Sequence, residues 1–443
     1  MRVKGCQEVN MKIRICPSTL FLCILILFFV IFTPGWLYNQ IHKRNSLEYL
    51  TPKHESWTGV INLWEITTWD IGRGSRTDWL TKRIREFESL HPGVFIEVKT
   101  ISIQQVQNFL QSKKESIPNQ PDMISYGPGI IDDPGKLFSS LPEGLLKNVR
   151  KEIQKSLRYH NEYYAIPWMM GSYCLMVNSD ACSSQGIEIP TNKQWSREDF
   201  IKAVDKLSYD RIIRGKKKEM VAGFGYANTN YKLPLLSMIY TIGDTIINKD
   251  VISLMNRIQY SYTLLKAQKI KGEAVSVFDE FAKQKKVNIM VASSKELYQL
   301  EKLVNDGKGV IPSFLYLPGT SKEQSVLFGE QIQYLSVVHQ VNQDKETIML
   351  AFLDHMLQSR TQKKLTEIGV FPVIDNLTDL YLGNEGLMIL EKTLQGHLVI
   401  PNPYLWTNTA TDISAILNEE KKWDITTINA LNQYMTKSLT GKN

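Results

Sequence analysis

Metal-binding and nucleophile signatures are missing from this sequence. Its five cysteines form no Cys-x-x-Cys and its seven histidines no His-x-x-x-His, which excludes the usual zinc-ligand spacings. There is no G-x-S-x-G elbow, no H-E-x-x-H, no Walker lysine loop and no EF-hand loop. Such motifs exist because a strained nucleophile, a two-histidine helix face, a phosphate cradle or a calcium cage needs its residues at fixed spacing. The chain therefore gives no sign of that chemistry, and no cofactor is implied. Low-complexity tracts and short repeats are absent too. Nor is charge of one sign extreme: 52 Lys+Arg against 45 Asp+Glu leave a formal +7 over 443 residues. The basic runs Arg214–Lys218 and Lys283–Lys286 come with no nucleic-acid fold motif. Solvated turns and helix faces are the simpler reading, and no nucleic-acid partner is expected. Hydrophobic residues at 43% and charged residues at 22% describe an ordinary globular chain, long enough for two lobes or domains.

Charge is missing altogether from Ile15 through Ile41, and Leu20–Phe32 (LFLCILILFFVIF) is an unbroken apolar run. The uncharged stretch is long enough to cross a bilayer core, which takes about 20 helical residues. Arg2, Lys4, Lys12 and Arg14 precede it and favour an inside N-terminus, while Trp36 and Tyr38 suit the interface. After the run, Phe32-Thr33-Pro34-Gly35-Trp36 offers no A-x-A-like cleavage site. Cys23 lacks the small residue that precedes a lipoprotein cysteine. We therefore expect a cytoplasmic n-region at 1–16, a transmembrane or signal helix at 17–38 and a polar tether at 39–56. The body is expected outside the membrane, tethered to it by that helix, or secreted if the helix is cleaved.

The body alternates elements. Val60–Trp64 reads as a strand, and Leu80, Ile84 and Phe87 mark an amphipathic helix that stops at His91-Pro92-Gly93. Val94–Val98 alternates as a strand, Val106 and Leu110 mark another helix, and Asp122–Tyr126 is a third strand. This strand–helix order predicts an α/β fold with a parallel sheet. Ligands of open parallel sheets bind beyond the carboxyl ends of the strands. Those ends carry Trp64, Glu65, Trp69 and Asp70 after the first strand, and Tyr126 after the third. Further on, Ser196-x-x-Asp199 resembles a capping box, and Lys345–Leu365, Thr409–Leu417 and Thr426–Leu439 read as helices. Cys174 and Cys182 are the only pair in the body, so one disulfide is conceivable.

Several local signatures, taken in order, resemble extracellular solute-binding proteins of ABC importers (family 1), specifically the maltose-binding-protein-like sugar group. They begin with Asn62-Leu63-Trp64 through Phe87-Glu88-x-x-His91-Pro92-Gly93, then Pro121-Asp122-Met123-Ile124. Tyr164-Ala165-Ile166-Pro167 follows, then Val177-Asn178-Ser179-Asp180, and Pro190-Thr191 with Trp195 and Phe200. Phe352-Leu353, Gln362, Gly369-Val370-Phe371-Pro372 and Pro401-Asn402-Pro403-Tyr404-Leu405-Trp406 complete the series. The resemblance spans about Val60 to Leu439.

It implies a two-lobed periplasmic-binding-protein-like fold of type II, each lobe a mainly parallel sheet flanked by helices. The lobes would be residues 57–170 plus about 309–356, and about 171–308 plus 357–443. A small solute, a sugar by analogy, would lie between them, and closure about a hinge would present the loaded shape to a permease. Carried over position by position, the resemblance implies ligand contacts at Trp64, Glu65, Trp69, Asp70, Tyr126, Trp168, Gly171 and Trp406. Tyr226, in Gly223-Phe224-Gly225-Tyr226, is a candidate for the second-lobe wall. Aromatic rings suit the C–H face of a sugar, and carboxylates take its hydroxyls. Core packing competes at every one of these positions, above all at Trp64, because tryptophan is highly buried on average. The chain departs from the family pattern at Gly171, where sugar-binding relatives can carry a carboxylate, and near Glu296, where a cleft tryptophan is usual. Both departures bear on the identity of the solute. A surface protein that senses a ligand or serves a structural role without transport is the alternative. Glu65 and Asp70 could in principle form a glycosidase pair, but carboxylates beside aromatics equally describe a binding cleft, and no enzyme is expected.

Overall fold

The computed structural model describes residues 56–440 except 112–119, 214, 216, 228–231, 243–255, 257–276, 320–325 and 419–423. The expected n-region and membrane segment, and almost all of the tether, lie outside the described residues. Among the described residues, no helix is long and apolar enough to cross a membrane. Ser56–Asn443 is a compact unit apart from Met1–Glu55, and its core is its own, from Ile61 to Met435. A unit with its own core is what independent folding requires.

The first three strands follow the expected alternation. β1 (Gly59–Glu65) lies between β2 (Val94–Thr100) and β3 (Met123–Tyr126) and is parallel to both. Helix α1 (Arg76–Leu90) connects β1 to β2, and α2 (Ile103–Gln111) follows β2. Ser75 caps α1 by accepting from the Asp78 amide, a bond whose loss typically costs about 1 kcal/mol. The apolar stripe of α1 buries Leu80, Ile84 and Phe87, each contributing roughly 1.5–3 kcal/mol by leaving water. In α2 the buried face takes Val106 and Phe109, while Leu110 is exposed. The helical period was legible there, but the neighbouring ring took the inward position.

The sheet is completed from far along the chain. β4 (Ile166–Met170) forms the other edge, and β11 (Ile332–Val337) runs antiparallel between β3 and β4, giving the order β2-β1-β3-β11-β4. The remaining strands make smaller sheets. β5 (Cys174–Asn178) is flanked by β8 (Ile289–Ala292) and β9 (Pro312–Leu315), antiparallel to both. β6 (Tyr209–Ile213) and β7 (Lys217–Val221) form a hairpin, and β10 (Val326–Phe328) pairs in parallel with β12 (His397–Val399). The expectation of a mainly parallel sheet in each lobe is therefore corrected for the second. β5 reaches its neighbour β8 through about 110 residues of intervening chain and not by a single strand–helix–strand crossover, so nothing forces the two parallel. The returning stretch expected at 309–356 contains β9, in the β5 sheet, and β11, in the first.

Helices α3 (Lys151–Ser156), α4 (Ser179–Ser184), α5 (Arg197–Lys206), α6 (Pro234–Ile242), α7 (Val277–Ala282) and α8 (Ser294–Asn305) precede β9. Helices α9 (Gln343–Leu357), α10 (Ser359–Lys363), α11 (Glu385–Thr393), α12 (Thr407–Asn418) and α13 (Ile425–Thr440) follow β11. The helix read over Lys345–Leu365 is broken at Gln358, whose backbone is extended at φ −62° and ψ 139°. Ser196 caps α5 by accepting from the Asp199 amide, and its hydroxyl also reaches the Asp199 carboxylate at 2.7 Å. Cys174 and Cys182 are both free and buried, so no disulfide joins them. Burial pushes the Cys182 thiol up to about 11, which keeps it protonated and unreactive.

Candidate functional site

The loops beyond β1 and β3 meet at the end of the first sheet. Ile66 N–H donates to the Ser125 carbonyl at 2.8 Å, bringing the two chains together. At Gly127 a Cβ would stand 2.1 Å from Thr68 Oγ1, so only glycine permits that approach. Gly129 N–H donates to the Pro403 carbonyl at 2.8 Å, which ties the β3 loop to the segment holding Trp406.

A buried polar cluster stands under the β1 loop. Arg76, on the first turn of α1, reaches Gln333 Oε1 at 3.2 Å and Glu65 Oε1 at 3.7 Å. Its guanidinium lies 5.0 Å over the Trp69 ring, near enough for a cation–π contact. Thr77 Oγ1 donates to Glu65 Oε2 at 3.0 Å. Gln333, on β11, donates to the Ile66 carbonyl at 2.9 Å and to Ser125 Oγ at 3.1 Å. Desolvation brings the Arg76 guanidinium down to about 10, against the raising effect of Glu65 and Asp70. It stays charged at neutral pH. Yet Glu65 Oε1, Thr68 Oγ1 and Trp69 Nε1 are buried without a hydrogen-bond partner. Glu65 Oε1 faces Arg76 as an ion pair without a hydrogen bond, while Thr68 Oγ1 and Trp69 Nε1 on the loop have no partner at all, and such groups cost about 1–3 kcal/mol each when left so.

The other predicted residues are distributed differently. Trp64 is buried edge-on against Phe109, with ring centroids 5.1 Å apart. Asp70 is exposed and pairs with Lys295 of α8 at 2.5 Å. Beside it, the Arg73 guanidinium sits 5.0 Å over the Tyr298 ring. Tyr126 is fully buried, bonded to Ser336 Oγ at 3.0 Å and stacked on Phe138. Trp168 stacks on Trp79 at 5.5 Å and donates to Ser125 Oγ at 3.2 Å. Trp406 is fully buried against Phe328 at 5.5 Å, its Nε1 unpartnered. Tyr226 lies against Phe224 and reaches toward the Leu417 carbonyl.

Gly171 and Glu296 mark the two departures from the family pattern. The Gly171 amide donates to the Gln331 carbonyl at 2.8 Å, and a Cβ there would meet Gln331 Oε1 at 2.3 Å. Glu296 pairs with Lys232 at 2.5 Å and caps α8 through Ser293. An ion pair thus occupies the place where the sequence resemblance leads one to expect an aromatic ring.

The cluster is centred on Glu65, Thr68 and Trp69. Arg76, Gln333 and Ser125 belong to it, and the sequence reading passed over them. Arg76 left one signal: it lies four residues before Leu80, on the same helix face as the apolar stripe. A separate groove of about 250 Å³ lies among Leu297, Leu300, Phe314 and Leu387, and it contains none of the predicted residues.

No family model matches the sequence, and comparison with curated proteins finds no match either. Solved structures do match. The GacH receptor of Streptomyces glaucescens, solved unliganded and with acarbose, is 16% identical, with a TM-score of 0.60 over 88% of this chain and 100% of that one. The ABC substrate-binding protein Lmo0181 of Listeria monocytogenes, in complex with cycloalternan, is 15% identical, with a TM-score of 0.58 over 87% and 100%. The cyclic alpha-maltosyl-1,6-maltose binding protein of Arthrobacter globiformis is 13% identical, with a TM-score of 0.59 over 87% and 100%. The chain has the two-lobed α/β fold of these proteins.

Proposed function

We propose that this protein captures a hydroxyl-rich small solute, a sugar or oligosaccharide, between its lobes outside the cytoplasmic membrane and hands it to an ABC permease. The observation that carries this reading is the set of buried atoms Glu65 Oε1, Thr68 Oγ1 and Trp69 Nε1, none of which has a hydrogen-bond partner. A carboxylate acceptor, an indole donor and a hydroxyl that does both are what vicinal sugar hydroxyls match. They sit at and just beyond the carboxyl end of β1, where ligands of such sheets bind. The permease and the choice of sugar rest on the fold the chain shares with its structural neighbours. We assign the protein no catalytic step: the site captures and releases.

A thermal-shift screen of residues 56–443 against sugars, oligosaccharides, amino acids and polyols tests the solute class. A saccharide should raise the melting temperature, because it binds only the native state. Trp69→Phe keeps a ring and removes the Nε1 donor, so affinity for that saccharide should fall about three- to tenfold, the worth of one hydrogen bond. If amino acids alone shift the melting point, or if Trp69→Phe binds as tightly as the parent, the reading fails.

The N-terminal segment gives a second expectation. Full-length protein should sediment with membranes, and external protease should release a soluble body. A mature N-terminus beyond Trp36 in the medium would rule out an uncleaved anchor.

A further inference from the structure

Two of the stretches of chain that leave the first sheet lie close to one another. Gly171-Ser172-Tyr173 joins β4 to β5, and Gly329-Glu330-Gln331 joins β10 to β11. They are held side by side. Gly171 N–H donates to the Gln331 carbonyl at 2.8 Å, and Tyr173 OH donates to Glu330 Oε1 in a short contact. The same Oε1 accepts the Leu233 amide at 2.7 Å, immediately before α6. Glu330 thus links both crossing stretches to the start of a second-lobe helix. It is 1% exposed, and its Oε2 has no hydrogen-bond partner.

A carboxylate placed there is out of the ordinary. If Glu330 only stitched backbone together, a glutamine would do so without an ionisable group in a dry site. The titratable groups around it are few: Lys232, which pairs with Glu296, and the neutral Tyr173 phenol. Lys232 is already committed to Glu296, so the cation nearest Glu330 is largely neutralised. Burial pushes Glu330 up to about 7, against the hydrogen bonds of Tyr173 and Leu233 and the field of Lys232. Any rotation of the lobes that parts the two stretches would hydrate Oε2 and return the group toward the ordinary carboxylate range near 4.3.

We propose that Glu330 is a proton-operated clasp between the two crossing stretches, protonated when they are packed together and ionised when lobe rotation lets water in. The clasp rests on the two-lobed binding reading and adds a control to it. Its sign follows from linkage. Closure takes up a proton, so the open-to-closed ratio rises by up to about tenfold per pH unit from the ordinary carboxylate pKa up to about 7 and levels off above it. Acid closes the protein; a return to neutral pH opens it. Glu330 acts by positioning Tyr173 and the start of α6, not by touching solute.

Small-angle scattering of residues 56–443 without added solute, between pH 5 and 8.5, tests this. The radius of gyration should rise with pH and level off above 7. Glu330→Gln should stay compact throughout, because it keeps an acceptor and cannot ionise. Tyr173→Phe removes a donor that favours the ionised form, so the transition should move to higher pH. A pH-independent radius in the parent, or an undiminished response in Glu330→Gln, overturns the clasp. Should Glu330→Gln fail to fold, an unmoved transition in Tyr173→Phe overturns it as well. A protein that binds saccharide with a pH-independent radius would sink the clasp and leave the binding function standing.

Discussion

Arg76→Ala should cost about 3–5 kcal/mol of folding stability, read as a fall in the unfolding free energy extrapolated from urea titrations. Arg76 is 6% exposed and faces Glu65, which is 0% exposed. Removing the cation leaves a carboxylate in a site with one hydroxyl donor, Thr77, and strips Gln333 Oε1 of its bond. Burying an uncompensated charge is among the few single changes that exceed the usual 0.5–3 kcal/mol. The partner change gives the diagnosis. Arg76→Met combined with Glu65→Gln replaces the ion pair by neutral groups of similar bulk, and buried pairs treated this way often lose little or even gain. The double variant should therefore recover most of the stability that Arg76→Ala loses. It should still bind saccharide more weakly than the parent, because glutamine at 65 keeps an acceptor but loses the charge that strengthens it. A drop below about 1 kcal/mol for Arg76→Ala would show that water reaches the cluster and that the orphaned atoms are solvated.

Much of the first sheet could be read from the chain, because its early strands and helices are consecutive and each obeys one period. Leu80, Ile84 and Phe87 repeat at helical spacing, and the same residues are buried in α1. The second half was harder for a physical reason. β11 lies between β3 and β4 although about two hundred residues separate it from β3, and no local pattern records so distant a pairing. The antiparallel surroundings of β5 were hidden likewise, since they depend on β8 and β9 arriving from far along the chain. At the candidate site, strand ends pointed to Glu65 and Trp69, but not to Arg76 or Gln333. Arginine at a core position is a weak signal, because its long stem often lies along apolar surface with the head in water. Asp70 was read as a solute group, whereas here it pairs with Lys295 across from the β1 loop.

Trp168 and Trp406 can be told apart from solute-stacking rings by what their loss removes. Both are 0% exposed. Trp168 lies flat against Trp79, with an interplanar angle of 14°, and Arg83 covers the other ring of the pair at 5.2 Å. The stack is thus covered on its Trp79 side, and the Trp168 indole is already spent on Ser125. Trp168→Ala should therefore lower stability by roughly 3–5 kcal/mol, the usual cost of opening a cavity where a large ring was packed. Saccharide affinity, measured on the folded fraction, should change little. Trp406 differs in one respect: it packs on Phe328 but keeps an unpartnered Nε1. Trp406→Ala should carry a similar stability cost, so truncation alone cannot assign its role. Trp406→Phe is the discriminating change, since it retains most of the packing and removes only the donor. If Trp406 belongs to the solute site, Trp406→Phe should weaken saccharide binding about three- to tenfold with a small loss of stability. If it is core alone, affinity should be unchanged. Isothermal titration of both phenylalanine variants, Trp69→Phe and Trp406→Phe, then decides how far the solute reaches from the β1 loop toward the C-terminal segment. Equal losses in the two variants would describe an oligosaccharide spanning both loops, and a loss confined to Trp69→Phe a smaller solute held beside Glu65.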